Sequence, residues 1–242
     1  MTVLEIRDLT VQFGGLKAVD NFSLTVERGE LRCLLGPNGA GKSTTLDLIC
    51  GKTGATSGQI IFEGEDITGM KEYRRARMGI GRKFQVPSVF KSLTVLENLE
   101  VARSTRSGVL QTLCVFSTPI RGRMEEILDL VGMADLVDIR AGSLSHGQMQ
   151  WLEIAMLLAQ DSKLILMDEP TAGMTINETL RTADIFRRLK GDHTIIVVEH
   201  DMQFVREVAE RVTVMNRGSL LADGSIGEIE ADPQVKAVYL GH

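Results

Sequence analysis

The stretch Gly36-Pro37-Asn38-Gly39-Ala40-Gly41-Lys42-Ser43-Thr44 constrains the fold more than any other part of the chain. It fits the pattern GxxxxGK[ST]. It stands between the apolar run Leu31–Leu35 and a segment, Gly41–Cys50, that reads as a helix stopped by Gly51. Glycines permit a tight turn in which consecutive backbone N–H groups point at one anion, and the helix N-terminus adds its partial positive charge. Such a cradle suits phosphate oxygens. Lys42 is placed to reach the β- and γ-phosphates of a nucleotide, and Ser43 to offer its hydroxyl to Mg²⁺.

A second element supports that reading. Leu164-Ile165-Leu166-Met167 is a continuous apolar run, short enough for a buried parallel strand, and it ends in Asp168 and Glu169. Asp168, at the C-terminal end of the strand, is placed to hold Mg²⁺ through water. Glu169 is placed to polarise an attacking water as general base. Taken alone, the pair reads as a solvated acidic turn; the phosphate cradle upstream decides for chemistry.

Strand and helix signals alternate through most of the chain. Leu9, Val11 and Phe13 recur at strand period, and Gln59–Phe62 resumes as strand. Thr175-Ile176-Asn177-Glu178 caps a helix running to Lys190 and ended by Gly191. Thr194–Val198 is a further buried strand, followed by a helix from Met202. Val212–Met215 and Ser219–Ala222 flank Asn216-Arg217-Gly218 as a hairpin, and Asp232-Pro233 opens a terminal helix. The middle differs. Thr94-Val95-Leu96-Glu97 is a capping box, Pro119–Val131 reads as a helix ending at Gly132, and no strand pattern lies between about Val86 and Gln160. The expected fold is α/β, a P-loop NTPase with a mostly parallel core sheet, an antiparallel β part near the N-terminus and a helical insert subdomain. We expect one domain over residues 1–242, with its core in 1–85 and 161–242 and the insert in approximately 86–160.

Composition narrows the function. A net charge of −5 argues against a generic binder of nucleic-acid backbones, so no nucleic-acid partner is expected. No apolar run approaches the roughly 18–20 residues of a membrane-spanning helix, and no secretion signal is seen, so the protein is expected to stay where it is made. Cys33, Cys50 and Cys114 are far apart without CxxC spacing and read as buried thiols in a reducing cytosol.

One more motif names a family. In Leu144-Ser145-His146-Gly147-Gln148, Ser145 reads as the N-cap of a helix running through Gln160, and Gly147 allows close backbone approach. The helix start is a second anion site. Lying about twenty residues before Asp168, this pentapeptide resembles the LSGGQ signature, and nearly the whole chain resembles the ABC ATPase family. The resemblance implies ATP and Mg²⁺ as cofactors, with Gly36 through Thr44 around the nucleotide and Ser43, Gln85 and Asp168 serving the metal. It implies two domains packed head to tail, the signature Leu144–Gln148 of each covering the γ-phosphate held by the other, with Ser145 and Gly147 acting on the partner's ATP. Phe13 matches the aromatic that stacks on adenine, Gln85 the glutamine that contacts Mg²⁺ and water, and His200 the histidine that senses the γ-phosphate. Two positions depart from the pattern: His146 replaces a glycine, and Thr175 stands where a loop usually ends in aspartate. His193 and His242 lack any such context and are expected to be solvated.

The single-domain length fits a transporter subunit better than the family's DNA-repair or ribosome-acting members. The chain resembles the ATP-binding subunits of branched-chain amino acid and urea importers. The urea type is nearest at Arg82–Phe90, Trp151–Ile154, Ala172–Thr175 and Tyr239-Leu240-Gly241. That resemblance implies a peripheral protein on the cytoplasmic face of the membrane. Its implied partners are a second ATPase subunit, permease subunits and, indirectly, a solute-binding protein. A coupling helix of the permease is expected beside Gln85–Phe90, where Val86, Val89 and Phe90 offer apolar contact. The expected solute is urea or a short-chain amide, with branched-chain amino acids as the alternative; no residue here is expected to touch it.

Overall fold

The structure, a computed structural model, describes residues 1–83, 89–104 and 118–240, in the last stretch with side chains from 121 to 238. Its larger sheet joins β3 (Leu31–Leu35), β6 (Ile80–Lys83), β7 (Leu164–Asp168), β8 (Thr194–Val198) and β9 (Arg211–Asn216) in parallel, with β10 (Ser219–Gly224) antiparallel at one edge. The order across it is β10-β9-β3-β8-β7-β6. β3, β7 and β8 are buried along their full length, and their alternate residues enter two different cores. Cys33, Ile165, Met167 and Val197 face one; Leu34, Leu166, Ile196 and Val198 face the other. Burial on both faces is why these strands read as continuous apolar runs rather than alternation.

A second, antiparallel sheet near the N-terminus has the order β2-β1-β4-β5, from β1 (Thr2–Phe13), β2 (Leu16–Glu27), β4 (Ser57–Phe62) and β5 (Glu65–Asp66). Its inward side chains, among them Leu4, Ile6, Phe22 and Phe62, share one core with Leu34 and Leu166 of the parallel sheet. Helix α1 (Lys42–Cys50) contributes Leu46, Leu48 and Ile49 to that core, so the helix that follows the phosphate loop is enclosed by both sheets. Helix α2 (Glu72–Met78), which sequence signals did not indicate, braces it from below. Its Arg75 is 2% exposed and donates to the carbonyls of Leu48 (2.7 Å), Ile49 (3.0 Å), Thr68 (2.9 Å) and Met70 (2.9 Å). The guanidinium thereby satisfies carbonyls at the C-terminal end of α1 that have no helical partner.

The other core is built by helices on the far face of the parallel sheet. α3 (Val95–Ser104), α4 (Thr118–Leu130), α5 (His146–Ala159), α6 (Ile176–Leu189) and α7 (Met202–Val208) pack there, through residues such as Leu99, Leu128, Leu152, Phe186 and Phe204. Phe186 and Phe204 meet edge to face at 5.4 Å. The capping box expected at Thr94 forms, with Glu97 accepting from the Thr94 N–H at 2.7 Å. Among the described residues no strand lies between Lys83 and Leu164, as the helical reading of this stretch requires. Two short helices, α8 (Ile226–Ala231) and α9 (Pro233–Leu240), close the described chain. Cys33 and Cys50 are buried and unbridged, as expected, while Cys114 lies outside the described residues. Among the described residues no helix is long and apolar enough to cross a membrane.

Candidate nucleotide site

The loop from Gly36 to Gly41 leaves β3 at the centre of the parallel sheet and enters α1 without a side-chain cap. Two of its glycines are required by space. A Cβ on Gly36 would lie 2.3 Å from the Met215 carbonyl oxygen, and one on Gly41 2.4 Å from that of Ala18. The second contact seats the β1–β2 hairpin against the loop. Phe13, at the end of β1, is 53% exposed, too open for the core aromatic it could have been. Ser43 is exposed at the helix start. Lys42 is buried and curls into the loop, donating to the carbonyls of Gly36 (2.7 Å) and Pro37 (3.1 Å). Burial draws its pKa down, while the carboxylates of Glu169 and Asp168 pull it up.

Those carboxylates stand at the end of β7, two strands from the loop across β8. Asp168 is 4% exposed, and its Oδ2 lies 3.9 Å from Nη2 of Arg82. Arg82 in turn pairs with Asp47 on α1, joining β6, β7 and the phosphate-loop helix through charge. Glu169 turns out of the strand with φ at 47°, the left-handed region, and its Oε1 lies 3.5 Å from Nδ1 of His200. Both side chains are open to solvent. The ends of β7 and β8 are tied by a buried bond: Glu199, 1% exposed, accepts from the Thr171 hydroxyl at 2.6 Å and N–H at 3.1 Å. That tie sets the two loops carrying Glu169 and His200 at a fixed spacing. Neither Thr171 nor this use of Glu199 was foreseen, because the two are separated by 28 residues.

The signature segment forms the cap its sequence predicts. Ser145 accepts from the Gln148 N–H at 3.2 Å, and Gln148 Oε1 accepts from the Ser145 N–H at 2.9 Å. Leu144 is buried beneath it. His146, the departure from the family pattern, donates through Nε2–H to the Ala172 carbonyl at 3.0 Å. It therefore links the signature to the loop that ends in Thr175, where Thr175 caps α6 with Glu178. The two helices are pinned further along by Trp151 Nε1, which donates to the Thr182 hydroxyl at 2.9 Å, and by Arg181 stacked over the indole at 4.3 Å.

One expectation needs adjustment. His193 is half-buried rather than solvated; it lies with Arg123, Ile127 and Leu158, and burial lowers its pKa. Gln85, Val86 and Pro87 lie outside the described residues, as does His242. Of the neighbouring apolar pair, Val89 packs against the helical core and Phe90 is half exposed.

The family model for ABC transporters matches residues 19–172. The chain belongs to the ABC transporter family. It is an ATPase with the α/β P-loop fold of that family's ATP-binding subunits. It is 35% identical to the high-affinity branched-chain amino acid transport ATP-binding protein BraF of Pseudomonas aeruginosa, over 99% of this chain and 98% of the relative. LivG of Escherichia coli, named for the same transport, is 33% identical at the same coverage. Among solved structures, a nucleotide-free ATP-binding cassette from an ABC transporter superposes with a TM-score of 0.85 at 32% identity, covering both chains fully. A cassette in its ADP conformation gives 0.86, again at 32% identity and full coverage of both. The names of these relatives do not support the expected preference for urea.

Proposed function

We propose that this ABC ATPase is the engine of a membrane importer, seated on the cytoplasmic face against permease subunits and closing on a second cassette. The observation that carries the reading is the likeness, over 99% of this chain, to the branched-chain amino acid transport ATP-binding proteins BraF and LivG. In this reading the loop Gly36–Thr44 holds the phosphates, Phe13 stacks on the adenine, and Ser145 and Gly147 reach the partner's γ-phosphate. Mg²⁺ needs few protein oxygens when phosphates and water complete its shell, and an exposed Ser43 hydroxyl with the Asp168 carboxylate suits that demand. Bound there, the ion would neutralise charge on the phosphates. Glu169 takes a proton from the attacking water, and His200 beside it holds the γ-phosphate end in place.

The permease contact falls in a groove between α2, β6 and α5. Ala76, Ile80, Met156 and Leu157 give it an apolar lining, joined by Glu72 and the buried Lys83. It lies between parts of the proposed core, residues 1–85 and 161–242, and of the proposed helical insert, about 86–160, and it is lined by Lys83, two residues before Gln85 in the sequence. A short helix from a permease suits such a cleft, which lies where ATP-driven movement of the insert would be felt.

For the solute, two readings compete. Urea or a short-chain amide is favoured by the residues at 82–90, 144–151 and 172–175; branched-chain amino acids are favoured by the names of the relatives. A deletion strain assayed for uptake of labelled urea and labelled leucine at micromolar supply separates them. Loss of urea uptake alone supports the first and loss of leucine uptake alone the second. Loss of both would mean a motor shared between two importers.

A further inference from the structure

The signature of this chain already carries an anion, and the anion is its own. Glu178, in the first turn of α6, accepts at Oε2 from the Thr175 N–H and hydroxyl, both at 2.9 Å. Its other oxygen faces the start of α5. There the Ser145 hydroxyl donates to Oε1 at 3.5 Å, and a Cβ built on Gly147 would lie 2.3 Å from the same atom. Any side chain at 147 would evict the carboxylate. The Thr175 N–H and hydroxyl hold the Glu178 carboxyl below the usual range, and the Ser145 hydroxyl and Gly147 N–H add to the effect. Glu178 is therefore charged at neutral pH.

Ser145 and Gly147 are the two positions that the proposed head-to-tail dimer assigns to the partner's γ-phosphate. A carboxylate and a phosphate oxygen cannot occupy one pair of donors together, and like charges at contact repel. We infer that Glu178 competes for the signature's anion site and is displaced by the partner's γ-phosphate when the two cassettes close. The inference rests on the signature reading made under the proposed function. Displacement leaves the helix start intact, because the Glu178 N–H donates to the Thr175 hydroxyl at 3.3 Å whatever the carboxylate does. The partly exposed side chain has water to swing into. Closure then requires a full γ-phosphate and not a weaker anion, so the competitor raises the ATP concentration at which the engine fires.

The test uses the assembled transporter, purified with its permease and second cassette, and reads ATP turnover against ATP concentration. Glu178→Gln keeps the shape and the capping box, since glutamine serves at that position, and removes only the charge. The half-saturating ATP concentration should fall about two- to fivefold, the scale of losing one exposed charged contact, with no loss of maximal rate. An unchanged or higher value overturns the inference, and a carboxylate that merely props the signature would give that result. Glu178→Asp, one methylene shorter and unable to reach Ser145, should shift the same way and serves if the Gln variant fails to assemble. Gly147→Asp examines the reading beneath: a fixed carboxylate on the signature should cut turnover at least about tenfold. If turnover survives Gly147→Asp, the signature reading falls and takes the inference with it. If turnover is lost there and Glu178→Gln does nothing, the inference alone falls.

Discussion

Glu169 leaves β7 with φ at 47°, a conformation that costs an L-residue about 1–2 kcal/mol relative to ordinary backbone. The backbone is held there from both sides: the Glu169 N–H donates to the Val198 carbonyl at 2.9 Å, and its carbonyl accepts from the Ala172 N–H at 3.1 Å. The side chain adds little, being open to solvent with a single 3.5 Å approach to His200. Replacing Glu169 by glycine should therefore release the strain, less about 0.5–1 kcal/mol for glycine's extra freedom in the unfolded chain. The balance is a gain of about 0–1.5 kcal/mol, centred on ~0.75 kcal/mol. For a chain of this size that is a rise in melting temperature of about 0–6 °C, centred on ~2 °C. Glu169→Gln keeps the strain and should melt within about 1 °C of the parent. Both variants lose the proposed general base, so phosphate release should fall at least about a hundredfold in each. Thermal unfolding without nucleotide, run beside a phosphate-release assay, measures both quantities. A glycine variant that melts at or below the parent would refute the strain argument, and a Gln variant with normal turnover would refute the base.

Three further outcomes follow from the geometry. Lys42→Ala removes the side-chain charge curled into the phosphate loop and should lower turnover at least about a hundredfold while weakening ATP binding, read by titration calorimetry; normal affinity together with normal turnover would exclude the role. Phe13→Ala should raise the nucleotide dissociation constant about five- to hundredfold, the range of one stacking contact of roughly 1–3 kcal/mol, while Phe13→Tyr stays near the parent. Equal affinity in all three proteins would leave Phe13 without a ligand. Arg75→Met unmakes four bonds to carbonyls at once and should cost about 3–4 kcal/mol, at roughly 1 kcal/mol per bond net of desolvation. The urea midpoint should drop with an unchanged slope, and a loss below about 1 kcal/mol would mean that water replaces the guanidinium.

What was legible in the sequence was chemistry of short reach. The phosphate loop, the acidic end of β7 and the helix caps at Thr94, Ser145 and Thr175 each close within a few residues, so pattern and structure coincide. β2 was missed because its first half carries Lys17, Asp20 and Asn21 and its pairing with β1 is broken by register shifts; regular alternation starts only at Phe22. β6 was missed for another reason. Ile80-Gly81-Arg82-Lys83 puts two cations into a strand at the edge of a buried sheet, tolerable only because Asp47 and Glu153 meet them from far along the chain. The same distance hid the Thr171–Glu199 tie and the reach of Glu178 to Ser145. Sequence pattern names the reacting groups; the contacts that aim them are settled by folding.

Successive residues of β7 answer to different neighbours: Leu166 belongs with the core that encloses α1, Met167 with the helices on the opposite face. Point changes on one side of this partition need not be felt on the other. A lineage can thus repack its helical layer around Met167, Ile165 and Val197 while the phosphate loop stays in its inherited setting. The proposed permease contact could in this way be refitted by changing every second position of these strands.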